Sequence, residues 1–262
     1  MDHGTNHGTF GTSHDSLHGA PTGVNGRPSD APEASRGWFT VEPRSVAATG
    51  PSIPETDCSL SHLVAELVAQ VDEMDPAQAG HSLRVSALST MLGSSIGMEA
   101  RELRALRISA LLHDVGKILV PAEVLRSPEP LTAVQSSTIR RHAVYGGSIL
   151  RRIPALAFAA PVARWHHERW DGLGYPDGLF GNAIPLHARI VAVADALDAM
   201  TSVRPYRQAI TLHEAFAELE AQSGAQFDPL VVSAVGPLVG AVGFESSWSS
   251  VARRIELLPA AA

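Results

Sequence analysis

The chain has 262 residues, of which 45% are hydrophobic and 18% are charged, a composition that supports one substantial globular domain. Its formal net charge of −7 argues against a nucleic-acid polymer or an anionic membrane surface as the main partner. The single cysteine excludes an intrachain disulfide and favours a reducing compartment. The sequence contains neither a secretory signal pattern nor an apolar run of the ~18–20 residues that span a bilayer, so we expect a cytoplasmic protein without a membrane segment.

Residues 1–55 form a tail rich in Gly, Ser, Thr and Pro, which we expect to be disordered. Four histidines lie in this tail: His3, His7, His14 and His18. Histidine-rich tracts can bind metal ions, but no carboxylate cluster accompanies these, so a solvated tail is favoured. We expect the folded domain at residues 56–242 and a second tail at residues 243–262.

Apolar residues recur at three- and four-residue steps from Leu60 onward, and no segment shows the alternation of a strand. The predicted fold class is therefore all-α. The helices are expected at about residues 60–71, 76–97, 99–115, 132–140, 143–152, 185–201, 212–221 and 229–239. The second helix would carry His81, and His113 would point inward from the third.

Residues 111–117 read LLHDVGK and place the imidazole of His113 beside the carboxylate of Asp114. These two ligand types suit Fe, Mn or Zn better than a soft metal. The same pair would also fit a helix end stopped by Gly116, with His113 in the core and Asp114 in solvent. Lys117 is the only lysine of the chain, and a compact point charge at this place favours contact with an anion.

Asp195 lies in the middle of the predicted helix at residues 185–201, which is apolar nearly all round and therefore central. A buried carboxylate without a partner costs several kcal/mol, so Asp195 requires a cation, a metal ion or a proton. A metal ion and an ion pair with Arg189 or another arginine are both compatible with the sequence.

Residues 166–178 read HHERWDGLGYPDG and form a long, glycine-rich loop. Long loops in compact domains are usually either functional or disordered. The aromatic residues and the adjacent His166 and His167 favour an ordered loop, in which Tyr175 offers a ring for base stacking or a hydroxyl group for a phosphate.

Seven side chains of the folded domain are candidate metal ligands: His81, His113, Asp114, His142, His166, His167 and Asp195. This number exceeds what one ion normally takes and suits two ions bridged by Asp114. Two ions ~3.5–4 Å apart can clamp a phosphate and activate a water molecule. Lys117, Arg204 and Arg207 would hold the phosphate oxygens. The sequence contains neither a HExxH zinc motif nor a GxxxxGK[ST] phosphate loop.

These motifs, in this order, resemble the HD-GYP family of the HD phosphohydrolase superfamily over residues 75–239. The motifs are Gly80-His81 with Arg84-Val85, Leu112-His113-Asp114-Val115-Gly116-Lys117, Arg141-His142 with Gly146, His166-His167-Glu168-Arg169-Trp170-Asp171-Gly172, Gly174-Tyr175-Pro176-Asp177-Gly178, Ile184-Pro185, Ala188-Arg189-Ile190, Asp195 with Asp198-Ala199, Arg204-Pro205-Tyr206-Arg207 and Gln226-Phe227-Asp228-Pro229.

The resemblance implies an HD-domain helical bundle that hydrolyses the bacterial second messenger cyclic di-GMP to pGpG and often to GMP. Iron or manganese is the metal it implies, held by the seven ligands named above. It further implies that Asp114 and Lys117 act in catalysis and that Asp198 supports the site from behind the ligands. The substrate contacts that it implies are Tyr175, Arg204 and Arg207.

Two positions depart from the family pattern. Ala77 occupies the place of a glutamate that the three-metal subgroup carries four residues before the first motif histidine, which favours two divalent ions here. The connector reads Ser127-Pro128-Glu129 where relatives have Lys-Pro-Gly. Members of the family often act through protein contacts, so a homodimer or a signalling-protein partner belongs to the expectation.

Two alternatives stay open. One is an HD hydrolase of another nucleotide or cyclic dinucleotide, against which Tyr175, Arg204 and Arg207 favour cyclic di-GMP. The other is a non-catalytic cyclic di-GMP receptor or interaction module. The retained set of metal ligands argues against a receptor, because a binding module has little need of a full metal site.

Overall fold

A computed structural model describes residues 58–202 and 208–240 of the chain. Within these ranges the residues form α-helices, short 3₁₀ helices and loops, without a β-strand, which confirms the predicted all-α class. The predicted tails at residues 1–55 and 243–262 lie outside the described residues, as do Arg204 and Arg207. None of the helices in the described part combines the length and the apolar character that crossing a membrane requires.

The α-helices of the described residues are α1 Cys58–Met74, α2 His81–Ser95, α3 Ala100–Leu111, α4 Ala122–Leu125, α5 Ala133–Arg140, α6 His142–Arg151, α7 Ala160–Trp165, α8 Leu186–Thr201, α9 Leu212–Ala221 and α10 Pro229–Val239. The 3₁₀ helices are Pro76–Gln78, Val115–Leu119, Pro154–Ala159 and Gly181–Ala183.

The helices of the second half begin at local capping signals. Thr132 accepts a hydrogen bond from the main-chain amide of Gln135, whose side chain binds the Thr132 amide in return. Thr211 and Glu214 form the same reciprocal cap at α9. At α10 the side chain of Asp228 accepts from the amide two residues later. These caps satisfy the free amides of a first turn and explain why α5, α9 and α10 begin where the sequence predicts.

Two clusters of buried apolar side chains hold the bundle together. The first joins α2, α3, α8, α9 and α10, and the second joins α1 and α6 to residues 154–163. Ala194, next to Asp195, belongs to the first cluster. Leu112 and Val115, which flank the His113-Asp114 pair, belong to the second. The candidate ligands are therefore fixed to both halves of the core.

The predicted helix at residues 76–97 is wrong in its first part. Pro76–Gln78 forms only a 3₁₀ turn, and α2 begins at His81. The interruption occurs because Gly80 adopts φ 76°, a left-handed conformation that ends one helical turn and re-aims the chain. His81 is consequently the first residue of α2 rather than a residue of its interior.

The predicted helix at residues 99–115 is also wrong at its end. α3 ends at Leu111, and His113 lies in the turn that follows rather than on a core helix. The chain then passes so close to α6 that a Cβ atom on Gly116 would lie 1.9 Å from the carbonyl oxygen of His142. This packing, and not a local stop signal, sets the path of residues 112–119.

Candidate metal centre

Asp114 lies between two groups of candidate ligands. Its Oδ1 is 3.3 Å from His142 Nε2 and 3.8 Å from His166 Nε2. Its Oδ2 is 3.5 Å from His113 Nε2 and 4.0 Å from His81 Nε2. Two sets of ligand atoms result, each within 4.8 Å: Asp114, His142, His166 and His167, and His81, His113 and Asp114. A carboxylate shared by two such sets is suited to bridge two metal ions.

Main-chain hydrogen bonds fix the orientation of three of these imidazoles. The Nδ1 atoms of His113 and His142 each lie 2.7 Å from a carbonyl oxygen three residues earlier, and that of His166 lies 3.1 Å from one four residues earlier. A carbonyl oxygen only accepts, so Nδ1 carries the proton and Nε2 keeps its lone pair. Such second contacts orient histidine ligands and select their tautomer.

The Nε2 atom of His113 shows that these residues fit a metal ion. The side chain of His113 is fully buried, and among the described residues its Nε2 has no hydrogen-bond partner. A buried polar atom without a partner is costly. Since the proton of His113 is on Nδ1, the lone pair of Nε2 is available to bind a cation. Imidazole and carboxylate ligands without thiolates suit Fe, Mn or Zn.

The electrostatics of the site keep most of the histidines neutral. Burial lowers the pKa of His142 below its usual range and lowers that of His166 much further. Burial, together with the nearby His142, lowers the pKa of His167 to about 4. Burial alone would raise the pKa of Asp114, but Lys117 and the surrounding histidines hold it well below its usual value. The site therefore offers imidazole lone pairs and the carboxylate anion of Asp114 at neutral pH.

His81 is held by two aspartates of α8. Its Nδ1 lies 2.7 Å from Asp198 Oδ2, and its Nε2 lies 3.2 Å from Asp195 Oδ1. Arg84 in turn donates from Nε to Asp198 Oδ1 at 2.7 Å. Burial lowers the pKa of His81, but the two carboxylates outweigh it and raise the pKa to about 9. Asp198 is fully buried behind the ligands, as the resemblance implies.

Asp195 stands on the ligand side of His81, and no arginine within residues 58–202 and 208–240 forms an ion pair with it. Contact with His81 holds its pKa well below the usual range, although burial alone would raise it. Arg189, the alternative partner considered from the sequence, pairs instead with Asp228. The structure therefore brings Asp195 together with the predicted ligands.

Lys117 is buried between two carboxylates. Its Nζ lies 2.9 Å from Asp114 Oδ2 and 3.1 Å from Asp75 Oδ2. Burial alone would lower the pKa of Lys117, but the two aspartates raise it, so the ammonium stays charged. Asp75 could not be predicted as its partner, because helical periodicity assigns no partner across a turn.

A cleft of about 360 Å³ opens beside the candidate ligands. Its wall includes His167, Asp195 and Tyr175. The Tyr175 ring stacks on the His167 ring with centroids 4.8 Å apart and 24° between the planes. Burial raises the pKa of the Tyr175 hydroxyl, which therefore stays protonated and can donate a hydrogen bond. The structure places Tyr175 next to the ligands, as predicted.

Glu168 fastens the loop that carries Tyr175, a role that the sequence reasoning missed. Its Oε1 accepts from the amides of Asp177 at 2.7 Å and Gly178 at 3.1 Å, and its Oε2 accepts from the amide of Leu179 at 3.1 Å. The side chain is buried. The sequence contains one signal for this role: an acidic residue directly follows two histidines and precedes a glycine-rich segment whose amides it can bind.

The family model described as HD domain matches residues 61–231, which is more than half of the chain. The chain belongs to the HD domain family. The resemblance to the HD-GYP branch inferred from the motifs is confirmed by this match and by the relatives described next.

The chain is 40% identical over 174 residues to the cyclic di-GMP phosphodiesterase response regulator RpfG of Xanthomonas campestris pv. campestris, covering 66% of this chain and 46% of the relative. It is 35% identical over 185 residues to the 3′3′-cGAMP-specific phosphodiesterase 1 of Vibrio cholerae serotype O1, covering 68% of this chain and 43% of the relative. The chain thus spans less than half the length of these curated relatives.

Among solved structures, the chain is similar to a cyclic GMP-AMP specific phosphodiesterase of V. cholerae. The TM-score is 0.56 and the sequence identity 23%, and the match covers 76% of this chain and 54% of the other. At this identity the likeness concerns the fold.

Proposed function

We propose that this chain is a metal-dependent phosphodiesterase that hydrolyses cyclic di-GMP to pGpG, and on to GMP in a second step. The observation that carries the proposal is the position of Asp114, whose two oxygens face two separate groups of histidines beside a cleft. Phosphodiester hydrolysis is the chemistry that such a shared carboxylate serves, since two ions can hold both the attacking and the leaving oxygen.

The seven predicted ligands would hold two divalent ions, for which iron or manganese is our proposal. When bound, such ions polarise the phosphate and lower the pKa of a water molecule. The chain's own contribution is orientation: main-chain carbonyls hold His113, His142 and His166, and Asp198 holds His81. Asp114 supplies the negative charge between the two groups.

The remaining roles follow from charge and position. Lys117 stays protonated between Asp75 and Asp114 and would stabilise negative charge at the scissile phosphate from that place. Tyr175 would contact the dinucleotide from the cleft wall. Arg204 and Arg207, which lie outside the described residues, are proposed as substrate contacts on the motif resemblance alone.

The relatives favour cyclic dinucleotides as the substrate class. RpfG is named a cyclic di-GMP phosphodiesterase, and one Vibrio relative is named specific for 3′3′-cGAMP. Cyclic GMP-AMP is therefore the second candidate substrate. We place cyclic di-GMP first because the relative that bears its name has the higher identity, 40% against 35%.

The test is turnover by purified protein loaded without oxygen with Fe(II) or Mn(II). We expect mass spectrometry to show pGpG formed from cyclic di-GMP, with slower cleavage of the other members of a cyclic dinucleotide panel. His113→Ala and Asp114→Ala are expected to abolish turnover. Faster cleavage of cyclic GMP-AMP would make that the substrate. Binding of cyclic di-GMP by metal-loaded protein without any cleavage would establish a receptor instead.

The interaction partner is a separate proposal. The family resemblance implies that members often act through protein contacts, and on this ground we propose a homodimer or a signalling-protein complex for this chain. Light scattering of the purified protein, with and without cyclic di-GMP, measures the first. A mass of one chain under both conditions would contradict the homodimer.

A further inference from the structure

Among the described residues, two arginines line the cleft, Arg140 and Arg169. Lys117 lies next to the candidate ligand Asp114, and the three cations differ in how their charge is balanced. Lys117 is paired with Asp75 and Asp114, at 3.1 and 2.9 Å. Arg169 donates from Nη2 to Asp171 at 2.7 Å and from Nη1 to Gln226 at 3.0 Å. Pairing with these carboxylates weakens the attraction of both residues for an arriving anion without removing it.

Arg140 is the third cation and differs from the other two. It is the last residue of α5, its side chain is exposed, and it lines the cleft. Within residues 58–202 and 208–240, no carboxylate forms an ion pair with it. Its guanidinium carbon lies 5.1 Å from the centroid of the Tyr175 ring. An aromatic ring attracts a guanidinium group without neutralising it, so the charge of Arg140 stays available.

The position of Arg140 connects it to the metal centre. The Tyr175 ring that it contacts is stacked on His167, which belongs to the ligand set around Asp114. Arg140 also precedes His142 by only two residues, and His142 belongs to the same set. The guanidinium is thus held at the cleft wall, one ring away from the candidate metal ligands.

We propose that Arg140 binds a phosphate oxygen of the cyclic dinucleotide, with Tyr175 holding the guanidinium in place. This inference rests on the proposed function and adds a residue to its substrate contacts. The planar guanidinium has donors arranged for the oxygens of a phosphodiester. A dinucleotide carries negative charge only on its phosphates, so an uncompensated cation in the cleft is matched to that group.

The experiment compares Arg140→Gln with Arg141→Gln. Arg141 is the ideal control, because it is the next residue, is also exposed and also contacts a tyrosine ring, that of Tyr145 at 5.3 Å, but does not line the cleft. Dissociation constants are measured by calorimetry on the Mn(II)-loaded protein with a non-hydrolysable phosphorothioate analogue of cyclic di-GMP. Values of kcat and KM are measured on the Mn(II)-loaded protein.

We expect Arg140→Gln to weaken cyclic di-GMP binding by about 10- to 100-fold, the loss typical of a hydrogen bond to a charged group. KM should rise with it, while metal content and melting temperature stay at the wild-type values. Added salt should weaken binding by the wild type more than by Arg140→Gln, because the variant lacks the charge that salt screens. Arg141→Gln should stay within about twofold of the wild type.

Repeating the Arg140→Gln substitution in the Tyr175→Leu protein distinguishes a contact of Arg140 with the phosphate from an effect of Arg140 on the Tyr175 ring. In Tyr175→Leu protein, Arg140→Gln should still weaken binding. If its effect vanishes there, Arg140 acts only on the ring and the inference is overturned, as it is if Arg140→Gln equals Arg141→Gln. If the wild type binds cyclic di-GMP but does not cleave it, the proposed function fails while the binding constants still decide the role of Arg140. If it binds no cyclic dinucleotide, both fail.

Discussion

Asp198 lies behind the candidate metal ligands and contacts one of them, His81. It is fully buried, accepts from Arg84 and sits 2.7 Å from His81 Nδ1, so it sets the direction in which His81 Nε2 points. A residue that hydrogen-bonds a metal ligand in this way can change the affinity for the metal strongly, because it orients the ligand. An effect of Asp198 on metal affinity can be distinguished from an effect on stability, because the described residues contain another buried aspartate paired with an arginine, Asp228 with Arg189.

The first prediction compares these two pairs. Asp198→Asn should lower the affinity for Mn(II) by about 10- to 100-fold, because His81 loses the carboxylate that orients it. Asp228→Asn should destabilise the fold to a similar degree, since it also breaks a buried ion pair, yet leave the affinity unchanged. Calorimetric titration of Mn(II) and thermal unfolding measure both quantities. Equal Mn(II) affinities for the two variants would contradict the role of Asp198.

The second prediction concerns protons at His81. Its raised pKa of about 9 means that below pH 9, before metal binds, His81 carries an extra proton that an ion must displace. The lowered pKa values of His142, His166 and His167 mean that these are already neutral at pH 7. Mn(II) affinity should therefore rise between pH 6 and pH 9.

Calorimetry in two buffers of different ionisation enthalpy measures this release. We expect about one proton per chain at pH 7 and none above pH 10, because His81 is protonated at pH 7 before metal binds and neutral above pH 10. Release that is absent at pH 7 would show that His81 is neutral before metal arrives, and would remove His81 from this account.

At the scale of elements, the close contact between the 3₁₀ helix Val115–Leu119 and α6 gives the third prediction. Gly116→Ala should destabilise the protein by about 1–3 kcal/mol, because the new Cβ would lie 1.9 Å from the His142 carbonyl oxygen. It should also reduce metal content, since His142 must move. Gly240→Ala is the control, because Gly240 has φ −76° and a Cβ atom there would meet the Gly236 carbonyl oxygen at an ordinary contact distance of 3.5 Å. Unchanged unfolding and metal content in Gly116→Ala would contradict the packing argument.

The loop held by Glu168 gives the fourth prediction. Glu168→Gln replaces one acceptor oxygen by an NH₂ group that would face a main-chain N–H, which should cost about 1–3 kcal/mol. Because the loop carries Tyr175, kcat/KM should fall together with the melting temperature. The exposed Glu218→Gln on α9 is the matched control and should change neither. A Glu168→Gln protein with wild-type kcat/KM would show that the loop keeps its place without this carboxylate.

The elements also show what local sequence can predict. Thr132, Pro185, Thr211 and Asp228 are capping or helix-start residues, and the helices that follow them begin where their pattern predicts. The start of α2 after Gly80 and the end of α3 before Gly116 could not be predicted in this way. They depend on a left-handed turn and on contact with a distant helix, neither of which periodicity records.

The same distinction between local pattern and contact with a distant element applies to the candidate site. The motifs name the candidate histidines and aspartates. The structure brings six of the seven into two sets that share Asp114, and Asp195 contacts His81 of one set. Pairings across the fold, such as Lys117 with Asp75 and Arg84 with Asp198, were beyond the sequence argument, because helical spacing assigns a face but not a partner. The metal-binding role of the ligands and the substrate roles of Arg204 and Arg207 stay predictions.

At the scale of the whole molecule, the candidate ligands are attached to two apolar clusters and meet at one place. α2 and α8 belong to the first cluster and carry His81 and Asp195, whereas His113, Asp114 and His142 are attached to the second. Metal binding should therefore join the two clusters, and bound metal stabilises a fold by favouring the native state. The site and the core are coupled through these attachments.

The fifth prediction follows from that coupling. Saturating Mn(II) at about 100 times its dissociation constant should add roughly 2.7 kcal/mol to the free energy of unfolding for each site. Asp114→Ala should lose most of this gain because it removes the ligand common to both sets. Thermal unfolding with and without Mn(II) measures the effect. A gain of the same size in Asp114→Ala would show that the metal binds elsewhere.

The most direct measurement of the central claim is an anomalous difference map from a crystal of the Mn(II)-loaded protein. We predict two peaks that share Asp114, one among His81, His113, Asp114 and Asp195 and the other among Asp114, His142, His166 and His167. A single peak, or peaks that do not touch Asp114, would contradict a two-metal centre.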